Sequence, residues 1–272
     1  MSVSGDGNII VGSRPVPGMG VQGYRWTAAT GAVDLGDFPG GNAFSLALNV
    51  SSDGRVIVGG GSDEIDSIGF SWTDETGLVK LGRLMYQAAA VSADGSAIAG
   101  VGFQDGQGAV RWTAAEGPVW LGHLPGLSKN VYSFASDISG DGAVIVGGSG
   151  EDARFRAFRW TERSGMRSVQ QMLDELGVDT AGWMLGAAPA VSADGSVIIG
   201  NGTNPQGAPE AWIAVLPVNY VPEPNSLILA LGAAAMLLGL RKVRAPGGTS
   251  DRDYEYARSA HEFTRESYTW PN

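Results

Sequence analysis

The 272-residue sequence contains no cysteine and only two histidines, His123 and His261. Without cysteine the chain forms no disulfide bond and offers no thiolate as a nucleophile or metal ligand. Two histidines far apart in the sequence do not supply a zinc cluster or a Ser-His-Asp catalytic set. We therefore expect no catalytic residue, no metal site and no cofactor, and we predict that the protein is not an enzyme.

Basic residues are also scarce. Lysine and arginine number 18 against 28 aspartate and glutamate residues, which gives a formal net charge of -10. The acidic excess lies in residues 1–220, because residues 221–272 are charge-balanced. An acidic surface repels phosphate backbones, so nucleic acid is not an expected partner. We expect acidic clusters such as Asp63, Glu64 and Asp66 to lie in solvated loops.

The N-terminus lacks an export signal. Met1 is followed at once by repeat sequence, without the basic segment and the apolar segment that make up a signal peptide. Because Met1 falls inside a repeat unit, we expect the natural start of the protein to lie further upstream. Long apolar segments are missing as well, apart from Leu227 to Leu240.

A motif of the form Val-Ser-x-Asp-Gly occurs five times, once with Ile in place of Val, in a chain with 42 glycines. A tryptophan follows the aspartate of each copy after 18 to 20 residues, and the copies lie 41 to 53 residues apart. Periods of this size are typical of propellers and solenoids. The aspartates are Asp6, Asp53, Asp94, Asp141 and Asp194, and the tryptophans are Trp26, Trp72, Trp112, Trp160 and Trp212.

Each repeat contains apolar segments separated by turn sequences. In the second repeat Asp53-Gly54 joins two apolar segments, which is the usual signature of a hairpin, and Gly77 marks a later turn. Val56 to Val58 are all apolar, so we expect this strand to be buried on both faces. Four strands in each repeat describe a propeller blade.

We predict an all-β fold, a β-propeller-like array of about five four-stranded blades, followed by one short C-terminal transmembrane helix. The fifth repeat lacks a clear fourth strand, and a short helix from Val169 to Leu176 precedes it. Three arrangements remain open: a five-bladed ring, an open fragment of a larger propeller, and a β-solenoid.

The repeated residues have structural and functional interpretations. The motif lacks the regularly spaced carboxylates of a calcium loop, so we interpret its aspartate as a turn residue. Exposed tryptophans can stack on sugars, but the regular spacing of these five favours packing between blades.

The repeats resemble the HAF repeats of bacterial extracellular proteins. The resemblance covers residues 1–216 and rests on Trp-Thr, then a Leu-Gly segment, then Val-Ser-x-Asp-Gly. Leu35-Gly36, Leu81-Gly82 and Leu121-Gly122 are examples of the middle segment. The resemblance implies an exported bacterial protein.

The composition changes after Pro217. The segments that we predict here are a Pro-rich linker at 217–225, a transmembrane helix at 226–240, a basic cluster at 241–244 and a disordered tail at 245–272. A helix over 226–240 would be apolar all round and about 22 Å long, shorter than the hydrocarbon core of about 30 Å. The prolines before it and Arg241, Lys242 and Arg244 after it nevertheless favour a membrane segment whose basic end faces the cytoplasm.

This C-terminal order resembles the PEP-CTERM sorting domain, also catalogued as the ice-binding protein C-terminal domain. The matching motif is Val221, Pro222, Glu223 and Pro224, followed by the apolar segment and the basic cluster. The resemblance implies cleavage near the motif by an exosortase, a membrane-embedded cysteine protease or transpeptidase of bacteria that export exopolysaccharide. Residues 245–272 extend beyond the point where the family normally ends.

We therefore expect an exported, non-enzymatic β-repeat protein of the cell surface or extracellular matrix. It would be anchored transiently in the membrane through residues 226–240 and sorted by an exosortase, with exopolysaccharide as a further partner. The alternative is a carbohydrate-binding or carbohydrate-active propeller with a site at its axial mouth. Carboxylates clustered with an exposed aromatic at that mouth would favour the alternative.

Overall fold

The computed structural model describes residues 1–18, 20–40, 44–104, 106–127, 131–151 and 154–217. The predicted sorting motif at 221–224, the apolar segment at 226–240, the basic cluster at 241–244 and the tail at 245–272 lie outside these residues. Within the described ranges no helix is long and apolar enough to cross a lipid bilayer.

The described strands form five antiparallel sheets, one for each repeat. Sheet 1 contains β1 (Ser2–Val3), β2 (Ile10–Val16), β3 (Gly20–Thr27) and β4 (Gly31–Asp34). Sheet 2 contains β5 (Ser45–Val50), β6 (Ile57–Ser62), β7 (Ser67–Thr73) and β8 (Gly77–Lys80). Sheet 3 contains β9 (Met85–Val91), β10 (Ala97–Phe103), β11 (Gln107–Thr113) and β12 (Gly117–Trp120). Sheet 4 contains β13 (Tyr132–Ile138), β14 (Ile145–Glu151), β15 (Arg154–Thr161) and β16 (Gly165–Ser168).

The helix α1 (Val169–Glu175) follows sheet 4, as the apolar spacing predicts. Ser168 caps its N-terminus, and Gly177 with φ of 77° follows its C-terminus. Val169, Met172 and Leu173 are buried against the last sheet. The helix therefore covers part of the interface between sheets 4 and 5.

Within the residues that the structure describes, sheet 5 has three strand positions. β17 (Met184–Leu185) and β18 (Ala190–Val191) pair with the two ends of β19 (Val197–Thr203), which also pairs with β20 (Pro209–Val215). β17 and β18 thus share the place of one first strand. A fourth strand of this repeat would follow Pro217 and so lies outside the described residues, and its absence stays a prediction.

Consecutive sheets pack face to face through their first three strands. Ile57 lies in a core with residues of sheet 1, whereas its neighbour Val58 lies in a core with residues of sheet 3. Side chains alternate between the faces of a strand, so both neighbours must be apolar when both faces are covered. This explains why the second strand of a repeat begins with consecutive apolar residues.

One repeat position was assigned wrongly from the sequence. Trp112 lies opposite Ile98, and Trp26, Trp72 and Trp160 occupy the equivalent place in their sheets. Trp212 instead lies opposite Gly200, two residues further along the sheet. It follows its aspartate by 18 residues, as Trp112 does, but the hairpin between β19 and β20 is longer than that between β10 and β11. Trp212 occupies the position that Phe70 has in sheet 2, opposite Gly59. Equal spacing in sequence did not give equal places in the sheet.

The outer faces of the first and fifth sheets are exposed. Val3 is 55% exposed, whereas its equivalents Val50 and Val91 are 5% and 8% exposed. At the other end Ile199 is 43% exposed, whereas its equivalent Val58 is fully buried. In the described residues the five sheets therefore form an open series, and they do not close into the five-bladed ring that the sequence left open.

Candidate functional site

The five Ser-x-Asp-Gly turns share one hydrogen-bond pattern. In the third turn the Ser92 hydroxyl donates to Asp94 Oδ1 over 2.8 Å and accepts from the N–H of Ala97 over 3.0 Å. The N–H of Ser96 donates to the same carboxylate oxygen over 3.0 Å. The equivalent serine–aspartate pairs are Ser4 with Asp6, Ser51 with Asp53, Ser139 with Asp141 and Ser192 with Asp194, each at 2.6 Å. The aspartate is thus a turn residue, as the sequence predicts.

The turns are also bonded to one another. The residue between serine and aspartate donates its N–H to the carbonyl of the equivalent residue in the next repeat. The four bonds join Gly5 to Ser52 at 2.9 Å, Ser52 to Ala93 at 3.1 Å, Ala93 to Gly140 at 2.9 Å and Gly140 to Ala193 at 2.9 Å. We call this row of five residues the turn ladder. It joins all five sheets through main-chain atoms alone, so no side-chain identity predicts it.

The glycine of each turn fits against the preceding repeat. The five motif glycines have φ between 71° and 78°, which favours glycine. A Cβ on four of them would lie under 3.0 Å from a side chain of the previous sheet. These pairs are Gly54 with Ile9, Gly95 with Val56, Gly142 with Ala97 and Gly195 with Val144. Gly7, in the first repeat, has no such neighbour within 4 Å.

The carboxylates of these turns are held ionised. The Ser4 hydroxyl and the N–H of Asn8 lower the pKa of Asp6 to about 2. Similar bonds, led by the N–H of Ser96, lower the pKa of Asp94 to about 2. The hydroxyls of Ser51, Ser139 and Ser192 are likewise the main cause of lowered pKa values at Asp53, Asp141 and Asp194. A general acid needs a pKa near the working pH, so none of these five groups suits that role.

The exposed aromatic side chains of the described sheets lie away from the turns. Phe103 is at the end of β10 remote from Asp94, and the seven residues of this strand span about 20 Å. Tyr132 begins β13, whereas the Asp141 turn follows the end of that strand. Trp72, Trp112 and Trp160 are partly buried against the cores between sheets. The described chain therefore does not combine an exposed aromatic with the turn carboxylates.

Asp63 is buried rather than solvated, which corrects the expectation for this acidic loop. Its side chain is fully buried and accepts bonds from Lys80 Nζ at 2.7 Å and Arg83 at 3.0 Å. The N–H groups of Ile65 and Asp66 also donate to it. Lys80, followed by these N–H groups, lowers the pKa of Asp63 well below its usual range. All these contacts are internal, so the cluster ties the β6–β7 hairpin to the end of β8.

His123 does not form part of a catalytic pair in the described structure. Burial lowers the pKa of its imidazole, and the ring lies edge-on to Trp120 at 5.8 Å. Among the described residues, no three His, Asp or Glu side chains are grouped so that they could hold a metal ion. His123 is therefore positioned as a packing residue.

An open depression lies beside α1. Its polar groups already have partners, because the Gln170 amide donates to the carbonyl of Trp183 at 2.7 Å and Thr180 donates to Asp174. The sequence predicts the helical insertion that forms this depression, but it does not predict the hydrogen bonds among the polar groups there. The groups that would orient a ligand are bonded within the protein.

Comparison with known proteins identifies the architecture. No family model and no curated protein matches the sequence. TolB from Acinetobacter baumannii superposes with a TM-score of 0.53 at 12% identity, over 77% of this chain and 51% of that one. The fold is that of a β-propeller. A structure assigned to TolB from Agrobacterium tumefaciens gives a TM-score of 0.51 at 14% identity, over 79% of this chain and 75% of that one.

These similarities concern the fold alone, since the identities are low. The chain spans about half the length of the Acinetobacter TolB structure. An all-β, propeller-like fold of antiparallel sheets, four of them with four strands in sequence order, is thus established for the described residues.

Proposed function

We propose that the protein is an exported, non-enzymatic propeller of the cell surface or extracellular matrix, delivered by its C-terminal segment. The observation that carries the proposal is the order of three signals in the sequence: Val221 to Pro224, then Leu227 to Leu240, then Arg241 to Arg244. A core helix has no need of a Pro-Glu-Pro motif before it or a basic cluster after it. A segment that is held in the membrane and read by a processing enzyme accounts for all three.

The three signals have separate roles in this proposal. The apolar segment enters the membrane, and the basic cluster stays on the cytoplasmic side. Glu223 and its flanking prolines then lie outside the membrane, between the anchor and the propeller. An exosortase cleaves there, which releases the propeller to the surface or matrix. Exopolysaccharide is the proposed partner of the released form, and this part rests on the PEP-CTERM resemblance alone.

The described propeller supports a binding or structural role rather than catalysis. Its repeated carboxylates are ionised and engaged in their own turns. Its most buried acidic group, Asp63, serves to fasten a hairpin. These groups stabilise the array, and their protonation state at neutral pH is fixed.

The proposal is tested by expressing the full chain behind a signal peptide in hosts with and without an exosortase. One variant lacks Val221 to Arg244, and a second carries P222A, E223A and P224A. A matched control carries three alanine substitutions in the tail, D251A, D253A and E255A.

We expect the wild type and the tail control to leave the membrane only in the host that has the exosortase. The triple motif variant should stay in the membrane in both hosts, and the deletion should be soluble in both. If wild type and motif variant partition identically between membrane and medium, the proposed sorting is wrong.

A further inference from the structure

The two ends of the open series of sheets are exposed in different ways. The tail face is the outer face of sheet 5 and includes Ile199, Asn201, Ala211, Ile213 and Val215. Ile199, Ile213 and Val215 are each more than two-fifths exposed, and Ile199 lies opposite Ile213. The head face is the outer face of sheet 1, where Val3 lies opposite Ile10. Neither face is covered as its equivalents inside the array are.

The four internal interfaces define what a tail face normally contacts. The residues equivalent to Ile199 are Val11, Val58, Ala99 and Val146, and each is fully buried in a core shared with the next sheet. The residues equivalent to Val3 include Val50, Val91 and Ile138, and each is buried against the sheet before it. At the internal interfaces, the face equivalent to the tail face thus packs against the face of the next sheet that is equivalent to the head face.

The turn ladder ends with matching groups. Ala193 accepts from Gly140, but its own N–H has no acceptor among the described residues. Gly5 donates to Ser52, but its carbonyl has no donor there. A bond from Ala193 to a Gly5 carbonyl would repeat the four bonds already present. The free donor is at the tail end, and the free acceptor is at the head end.

The glycine contacts end in the same complementary way. At each internal interface the motif glycine of one repeat abuts an apolar residue of the repeat before it, as Gly195 abuts Val144. Val197, the corresponding residue of the last repeat, has no following glycine in the described chain. Gly7, the glycine of the first repeat, has no residue within 4 Å of where its Cβ would be. Val197 of one copy could therefore contact Gly7 of another copy, as Val144 contacts Gly195 within the chain.

We infer that the tail face of one copy of the chain of residues 1–272 packs on the head face of a second copy. A repeat upstream of Met1 would cover the head face in the same way, so the inference concerns the chain that begins at Met1. The contact continues the interfaces already present between sheets, since it joins the same apolar positions, the same ladder atoms and the same glycine contact. The tail-face residues carry no charge, so no ionised group is buried there. The interface is heterologous, so it produces rings or open chains of copies rather than only symmetric dimers.

Three matched single substitutions test the contact. I199K places a charge on the tail face, V3K places one on the head face, and V79K is the control. Val79 is 41% exposed on an outer strand of an internal sheet, away from both ends. The full-length proteins are compared by sedimentation velocity over a range of concentrations. All samples contain the same mild detergent, because residues 227–240 are apolar.

Wild type and V79K should form larger species as concentration rises. I199K and V3K should each remain monomeric, with dissociation constants raised by about 30-fold or more, the effect of losing an interface hot spot. An equimolar mixture of I199K and V3K should form a one-to-one dimer and nothing larger. The unmodified tail face of V3K can pack on the unmodified head face of I199K, and no second pair of unmodified faces remains. A monomeric wild type overturns the inference, and so does self-association of either blocked variant alone.

A cysteine experiment tests the geometry without adding charge. The chain has no cysteine, so V3C and I199C each introduce a single reactive thiol. Under mild oxidation the mixture should give a covalent dimer, whereas each variant alone and a V79C sample should not. Equal crosslinking of V79C, or no crosslinking in the mixture, contradicts the head-to-tail contact.

Discussion

Replacing Gly95 with alanine tests whether the repeated turns hold the sheets together. Gly95 has φ of 78°, and a Cβ there would lie under 3.0 Å from Val56 of the preceding sheet. Placing alanine in the left-handed region costs about 1–2 kcal/mol, and overpacking a close contact adds about 1–3 kcal/mol. We therefore expect G95A to lower the free energy of unfolding by about 2–5 kcal/mol.

Gly7 provides a control within the same motif. Its φ is 75°, but no atom lies within 4 Å of the place a Cβ would take. G7A should therefore cost only the backbone strain, about 1–2 kcal/mol. The assay is urea unfolding followed by tryptophan fluorescence and circular dichroism, at concentrations where the protein is monomeric.

The contact with Val56 can be isolated by adding V56A to both glycine variants. V56A removes the methyl groups that Gly95 faces, so it should recover part of the loss in G95A and none in G7A. The proposed interlocking of neighbouring turns is refuted if G95A and G7A lose the same stability, or if V56A has the same effect in both backgrounds.

Three further predictions concern single residues. Asp94 has its pKa lowered from 3.8 to about 2, so its contribution to stability is complete above pH 3.8 and is lost as pH falls through about 2. D94N should weaken the decrease in the free energy of unfolding at acid pH. An unchanged decrease would contradict the role of the Asp94 carboxylate in its turn. D63N should lower the melting temperature more than D34N, because Asp63 is buried between two cations whereas the Asp34–Arg14 pair is exposed. Equal decreases in melting temperature would contradict a stabilising role for the contacts of Asp63 with Lys80 and Arg83. W212A should cost about 3–5 kcal/mol, since Trp212 is 3% exposed, and W26A at the open end should cost less; the reverse order would contradict the register.

The local features of the fold could be predicted from the sequence. Asp53-Gly54 predicts a hairpin because glycine allows positive φ and aspartate bonds to nearby main chain. The apolar segment Val56 to Val58 predicts a strand covered on both faces. The apolar spacing from Val169 to Leu176 predicts α1 in the same way. Each of these features depends on residues that are close together in the sequence.

The features that the sequence did not reveal depend on distant residues. The turn ladder uses main-chain atoms of Ser52 and Ala93, whose side chains have nothing in common. Asp63 is buried where Lys80, at the end of β8, and Arg83, in the turn that follows, approach it. The place of Trp212 depends on the length of the hairpin between β19 and β20, which cannot be read from its distance in sequence to Asp194. The exposure of the two ends depends on contacts between sheets.

The most direct test of the proposed function is the intact mass of the protein recovered from hosts with and without an exosortase. The sorting proposal predicts that only the first host yields a chain that ends near Val221 to Pro224, without residues 226–272. The P222A, E223A and P224A variant should keep its full mass in both hosts. Identical full-length masses for the wild type from both hosts would contradict the proposal.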